Sequence, residues 1–307
     1  TVSSGTEALL ISLMGLGIRS GDEVITTPFT FVSTAEVIAL LGAKPVFVDI
    51  EDDTCNINVG KIKEKINSRT KAIMPVSLFG QVSDMNEINT IAKEHNLYVI
   101  EDAAQSFGAT YEKVRSCNLS DVGCTSFFPS KPLGCYGDGG AIFTNDDEIA
   151  DKFRHLRIHG QNKKYSYNSI GVGGRMDTLQ CAILLAKFPR FIEEITNRQK
   201  NAQIYNELFD KAGIKRIKVR ENRKSVHAQY TIFLENRNKV IENLETEKIP
   251  YAIYYPKPLN SHEPYQKFCC SDCTPISNIL SKQVLSLPFG PDINQFDIEK
   301  VVKAVLK

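Results

Sequence analysis

A large α/β domain on a mostly parallel sheet, followed by a smaller α+β domain, is the fold class this sequence predicts. Two observations carry it. From Thr6 to about Asn145, short apolar runs alternate with segments of helical periodicity, the signature of βαβ units around a buried sheet. After Asp146 the texture changes to one helix, a polar loop over 159–174, and a long helical stretch from Met176 towards Ala212. At 307 residues, 42% hydrophobic and 24% charged, the chain is long enough for one large and one smaller domain, divided here as 1–195 and 196–307.

Six strands are expected, at 23–27, 45–49, 72–76, 97–101, 122–127 and 141–144. Between them, 7–16, 33–41 and 85–95 carry apolar residues at helical spacing. The segments 229–234, 249–254, 276–285 and 298–306 supply the elements of the smaller domain. The opening Thr1-Val2-Ser3-Ser4-Gly5-Thr6 reads as a strand end running into a helix, so the fold is expected to start before Thr1.

Lys and Arg total 37 against 36 Asp and Glu, so no net field draws the chain to nucleic acid or an anionic membrane. No apolar run approaches the ~20 residues of a membrane span, and the start lacks the basic and apolar regions of a signal peptide. A cytoplasmic location without membrane insertion is the expectation. The eight cysteines are scattered or lie in one late cluster, and are read as reduced thiols. Cys269-Cys270-Ser271-Asp272-Cys273 holds a single CxxC with no second pair at zinc-like spacing, so no metal site is expected. His95, His155 and His227 have no partner that the sequence names.

Three places carry chemistry. At Ser4-Gly5-Thr6 a glycine permits close approach, and the following helix presents free N–H groups suited to a phosphate, although an ordinary N-cap gives the same pattern. At Val99-Ile100-Glu101-Asp102-Ala103-Ala104-Gln105, acids follow a buried strand where sheet ligands bind. Asp102 is the better candidate to pair with a protonated ring nitrogen, and a turn-capping aspartate is the plainer alternative. The third is Ser126-Phe127-Phe128-Pro129-Ser130-Lys131-Pro132-Leu133-Gly134, followed by Gly137-Asp138-Gly139-Gly140. A lysine between a strand end and a glycine-rich turn can have its pKa depressed enough for imine chemistry, with Ser126 or Ser130 offering a hydroxyl to phosphate. Alone it would read as an exposed structural lysine.

Phosphate cradle, acid and lysine, each at a strand end and in that order, match the anchors of a pyridoxal-phosphate (PLP) enzyme. The segments SGTEAL, PFTFVST, IEDAAQSFGA, SFFPSKPLG and GDGGAIF resemble the DegT/DnrJ/EryC1/StrS family of sugar aminotransferases, and the likeness runs over nearly the whole chain. It implies fold-type I architecture and a homodimer with shared active sites. It also implies that Lys131 binds the cofactor as an imine and shuttles protons, that Asp102 partners the pyridinium, and that Gln105 meets the ring's hydroxyl side. Gly5, Thr6 and Ser126 fall on phosphate-binding positions, and Phe31 on the aromatic that stacks on the ring.

The segments LRIHGQ and RMDTLQ match the family's crossing loop and the start of its long helix, which implies substrate contacts from His159 and Arg175. Arg175 offers a planar fork to a carboxylate, and a surface ion pair is its plainer alternative. Gly173 departs from the asparagine many relatives carry there. The segment 249–259 resembles relatives that aminate a UDP-linked 3-keto-hexuronic acid, which makes Tyr254 and Tyr255 candidates for sugar contact or for packing. The activity so implied is transfer of an amino group from glutamate to a UDP-linked keto-sugar for surface polysaccharide synthesis. Two alternatives stay open: a sugar dehydratase, although such relatives carry histidine at the position of Lys131, and an inactive regulatory homologue.

Overall fold

The computed structural model describes residues 1–307 apart from the side chain of Ser271. Its centre is a six-stranded sheet built from β1 (Glu23–Thr26), β2 (Lys44–Phe47), β3 (Thr70–Ile73), β4 (Tyr98–Asp102), β7 (Val122–Ser126) and β8 (Gly140–Phe143), in the order β2-β1-β3-β4-β7-β8. All neighbours are parallel except β7 and β8. Each expected strand is present within three residues of its predicted ends. Val2 pairs with Gly140 through two 2.9 Å backbone bonds, so the expected strand end lies against the edge strand β8.

Helices α1 (Gly5–Gly15), α2 (Ser33–Leu40), α3 (Met85–Glu94) and α4 (Asp147–Leu156) flank this sheet. The alternation of side chains across a strand splits its apolar residues between two cores. On β4, Val99 joins a core with Ile73, Ile88 and Ile91, whereas Ile100 joins one with Leu9, Leu13, Val37 and Phe153. Helix starts are capped where the sequence places short polar residues: Ser4 Oγ accepts from Glu7 N (3.0 Å), and Asp146 Oδ1 from Ile149 N (3.0 Å).

Smaller antiparallel pieces decorate this body. They are β5 (Thr110–Tyr111) with β6 (Val114–Arg115) and β11 (Arg223–Lys224), and the hairpin of β9 (Gln161–Lys163) and β10 (Ser166–Tyr167). A further core collects α6 (Phe191–Ala212), α7 (Arg237–Thr246), α10 (Gln295–Val305) and the antiparallel pair β12 (Tyr230–Phe233) and β13 (Val284–Leu287). Tyr205 and Tyr230 stack at its middle, with ring centroids 4.5 Å apart. The remaining helices are α5 (Thr178–Lys187), α8 (Glu263–Gln266) and α9 (Pro275–Gln283).

Three expectations need correction. The single helical stretch from Met176 towards Ala212 is two helices, because Pro189 lies in a 3-10 turn (Phe188–Arg190) that separates α5 from α6. The run 249–254, expected as an element of the smaller domain, reduces to one bridge, Ala252 to Ser286, on the edge of β13 away from β12, where Pro250 has no N–H to extend a ladder. Not every cysteine is a free thiol: Cys270 and Cys273 are joined in a disulfide, their Cα atoms 5.6 Å apart, a separation that such a bond spans. Cys55, Cys117, Cys124, Cys135, Cys181 and Cys269 are free.

The sheet depends on close packing at β4. Ile100 is fully buried, and Ile100→Ala is expected to lower the unfolding free energy by about 3 kcal/mol in urea denaturation. A change below about 1 kcal/mol would show that the core beneath β4 collapses around the gap.

Candidate active site

The C-terminal end of β4 sends two adjacent carboxylates to opposite faces of the sheet, and their partners separate their tasks. Glu101 accepts from Ser77 Oγ (2.9 Å), Ser116 Oγ (2.8 Å) and Cys117 N (2.7 Å), a set of loop groups that it ties together. Burial pushes its carboxyl pKa up, while these three donors pull it down. Asp102 accepts at Oδ2 from Thr34 Oγ1 of α2 (2.9 Å) and at Oδ1 from Ala104 N (3.2 Å). Thr30 Oγ1 lies 3.2 Å from Thr34 Oγ1 and extends the chain of hydroxyls.

Asp102 is buried and its pKa is raised, with desolvation the main cause, opposed by Thr34, Ala104 N and the charge of Lys131. Lys131 follows the turn in which its own N–H donates to Phe128 O (2.9 Å). Its ammonium is only partly exposed, and desolvation lowers its pKa while Asp102 pulls it back up. Each group therefore feels the other's charge, in a place where both are costly to ionise.

The start of α1 closes one side. A Cβ on Gly5 would lie 2.6 Å from Ser126 Cβ, so glycine is what lets the helix end meet the end of β7. Ser4 Oγ takes the Glu7 N–H, and the N–H groups of Gly5 and Thr6 have no protein acceptor among the described residues. Ser126 Oγ accepts from Phe128 N (3.3 Å). Opposite, Gln105 Oε1 accepts from Phe79 N (2.8 Å), and Gln105 Nε2 donates to Tyr255 OH (3.3 Å). Burial, then the charge of Asp102, raises the Tyr255 phenol, whose ring stands edge-on to Phe29 (6.2 Å) and Tyr254 (5.8 Å).

The structure thus brings Gly5, Thr6, Asp102, Gln105, Ser126, Lys131 and Tyr255 to one margin of the sheet. Phe31 stands exposed after Thr30, and Tyr254 packs partly into the cluster beneath Tyr255. His159 and Arg175 are exposed on the single chain. Residue 159 has φ +64°, and a Cβ on Gly173 would come within 3.1 Å of the His159 ring, so the imidazole lies over that glycine. Sequence reasoning missed Thr34 and Phe79. Thr30 precedes α2 and Thr34 lies in its first turn, so their meeting left no periodic signal. Phe79, at φ +55°, left none. Among the described residues no group of three or more His, Cys, Asp or Glu side chains could hold a metal ion, and no helix is long and apolar enough to cross a membrane.

A mostly parallel sheet whose margin sets a desolvated lysine against a buried aspartate defines the class, a fold-type I transferase of the PLP-dependent kind. The match to known sequences is narrower than that. The model of the DegT/DnrJ/EryC1/StrS aminotransferase family matches residues 1–306, and the chain belongs to that family. It is 50% identical over 304 residues to a UDP-2-acetamido-2-deoxy-3-oxo-D-glucuronate aminotransferase of Pseudomonas aeruginosa, covering 99% of this chain and 84% of that protein. It is 41% identical to a pleiotropic regulatory protein of Geobacillus stearothermophilus, covering 98% of this chain and 82% of that one. Among solved structures, NtdA of Bacillus subtilis with bound cofactor PMP superposes with a TM-score of 0.90 at 31% identity, covering 99% of this chain and 72% of that one.

The raised pKa of Asp102 fixes the sign of a pH effect. A carboxyl that holds its proton more tightly folded than unfolded loses stability for the protein as pH rises through its folded pKa, so the penalty is present at neutral pH. In the cofactor-free protein, Asp102→Asn is therefore expected to gain stability relative to wild type between acidic and neutral pH, measured by urea midpoints. A difference that stays constant with pH contradicts this.

Proposed function

We propose that this chain is a PLP-dependent aminotransferase that moves an amino group from glutamate to a nucleotide-linked keto-sugar, with a UDP-linked 3-keto-hexuronate as the favoured acceptor, in the synthesis of surface polysaccharide. The carrying observation is the mutual influence of Lys131 and Asp102 at the sheet margin. The activity for which the Pseudomonas relative is named supports the choice of acceptor.

The residues present fit the cofactor. A helix N-terminus with spare N–H groups, flush against a serine, suits a phosphate, and a buried carboxylate with too few cations suits a protonated pyridine. When bound, PLP supplies a carbonyl carbon and a ring that draws electrons from the substrate. In this reading Gly5, Thr6 and Ser126 bind the phosphate, and Asp102 holds the proton on the ring nitrogen. Gln105, fixed between Phe79 N and Tyr255 OH, would meet the ring's hydroxyl, and Phe31 would cover the ring.

Lys131 is the catalytic residue. Its depressed pKa leaves more free amine at neutral pH, both to bind the cofactor and to take a proton from the substrate carbon. A lysine here, rather than a histidine, favours amino transfer over dehydration. Tyr255, already bonded to Gln105, contacts the sugar, and Tyr254 stands beside it.

We also propose a homodimer with shared sites. Leu179, Leu185, Phe188 and Ile192 are each more than half exposed along α5 and the start of α6, an apolar face that a second copy would cover. His159 and Arg175, exposed on one chain, then serve the partner's site, where the Arg175 fork receives a carboxylate. Six free thiols accord with a reducing cytoplasm.

Lys131→Ala is expected to lower turnover of glutamate with a UDP-linked 3-keto-sugar by at least about 1,000-fold, followed by product analysis. Wild-type turnover in the variant contradicts the assignment. Activity confined to simple keto acids removes the sugar while sparing the amino transfer.

A further inference from the structure

A cavity of about 570 Å³ lies away from Lys131, between α6, β11 and the start of β12. That volume is in the range of small-molecule sites. Its lining holds Arg216, Lys218, Arg223 and Lys224 and no aspartate or glutamate. Three of these cations are anchored from behind. Arg216 Nη2 donates to both oxygens of Asp210 (2.9 and 2.8 Å), Lys218 Nζ lies 3.8 Å from Asp53, and Arg223 is held by Asp84 and the Val82 carbonyl, with Tyr111 stacked beneath it. Lys224 has no ion pair among the described residues.

Polar atoms in the same lining are left without partners. Arg216 Nε and Arg223 Nε are buried donors with no acceptor, and Gln229 Oε1 is a buried acceptor with no donor. Such orphans cost about 1–3 kcal/mol each unless something satisfies them. His227 reports the local field: burial, then Arg198 and Arg216, pulls its pKa down to about 4. The ring is therefore neutral at physiological pH and adds no charge of its own.

Fixed guanidinium groups, a free lysine and unmet donors around a space without acidic walls are the features that receive oxyanions. We propose that this cavity is a binding site for a small polyanion bearing phosphate or carboxylate groups, with a hydroxyl or amine to meet Gln229 Oε1. The cavity also shares a wall with the amino-transfer site. Phe79 lines it, and the Phe79 N–H is the donor that orients Gln105.

Isothermal titration of the PLP-loaded full chain at fixed ionic strength tests this, because bound cofactor already occupies the phosphate site near Ser126. Inorganic pyrophosphate probes for phosphate and citrate for carboxylate with a hydroxyl. At least one is expected to bind saturably at one per chain, and the better probe identifies the source. In Lys218→Gln/Lys224→Gln, whose side chains are solvent-facing, that affinity is expected to fall about tenfold or more. Arg216→Gln is expected to weaken it likewise. The proposal is overturned if neither probe binds saturably, or if binding is unchanged in the double variant and in Arg216→Gln.

Discussion

A carboxylate kept out of water at the end of a parallel strand is the constraint on which the rest of this site depends. Asp102 loses hydration there and, among the described residues, recovers only two hydrogen bonds, from Thr34 and Ala104. Two neutral donors do not replace the hydration of an ion, so the position calls for a cation. Lys131 answers in part, and it is itself desolvated. The pair is thereby unfinished in both directions: an anion that needs more positive charge and an amine that is easily discharged. In the proposed reading, a cofactor whose ring nitrogen met Asp102 and whose carbonyl met Lys131 would complete both at once.

The fold supplies this arrangement through strand order rather than through any one motif. Parallel strands β1, β3, β4 and β7 end on the same margin, so the loops after them meet although they are distant in sequence. Glu101 secures two of those loops from the opposite face, through Ser77 and Ser116. Residues 101 and 102 thus divide the work because successive side chains on a strand point to opposite faces. The same geometry brings α1 against β7, where only a glycine at position 5 permits contact with Ser126.

Much of this was legible in the sequence. Continuous apolar runs gave the six strands because a parallel sheet is buried on both faces, and polar residues at or soon after strand ends marked Asp102 and Lys131 as candidates. The hydroxyl chain from Thr30 through Thr34 went unread, since a threonine in a helix looks the same whether or not its hydroxyl has a tertiary partner. Pro189 was passed over within a strong helical period, and the Cys270–Cys273 bond is invisible to a count of scattered thiols. His159 and Arg175 carry a signal that a single chain does not complete, because both face outward. The cavity around Arg216 and His227 lacks a motif altogether, as its residues come from separate elements with no common spacing.

The charge on the ring nitrogen decides whether Asp102 acts as proposed, and nitrogen resonance reads it directly. With PLP labelled with ¹⁵N at the ring and bound to the wild-type protein, the account predicts the chemical shift of a protonated pyridinium at neutral pH. A shift typical of neutral pyridine would contradict it, since Asp102 would then be holding its own proton and not the ring's.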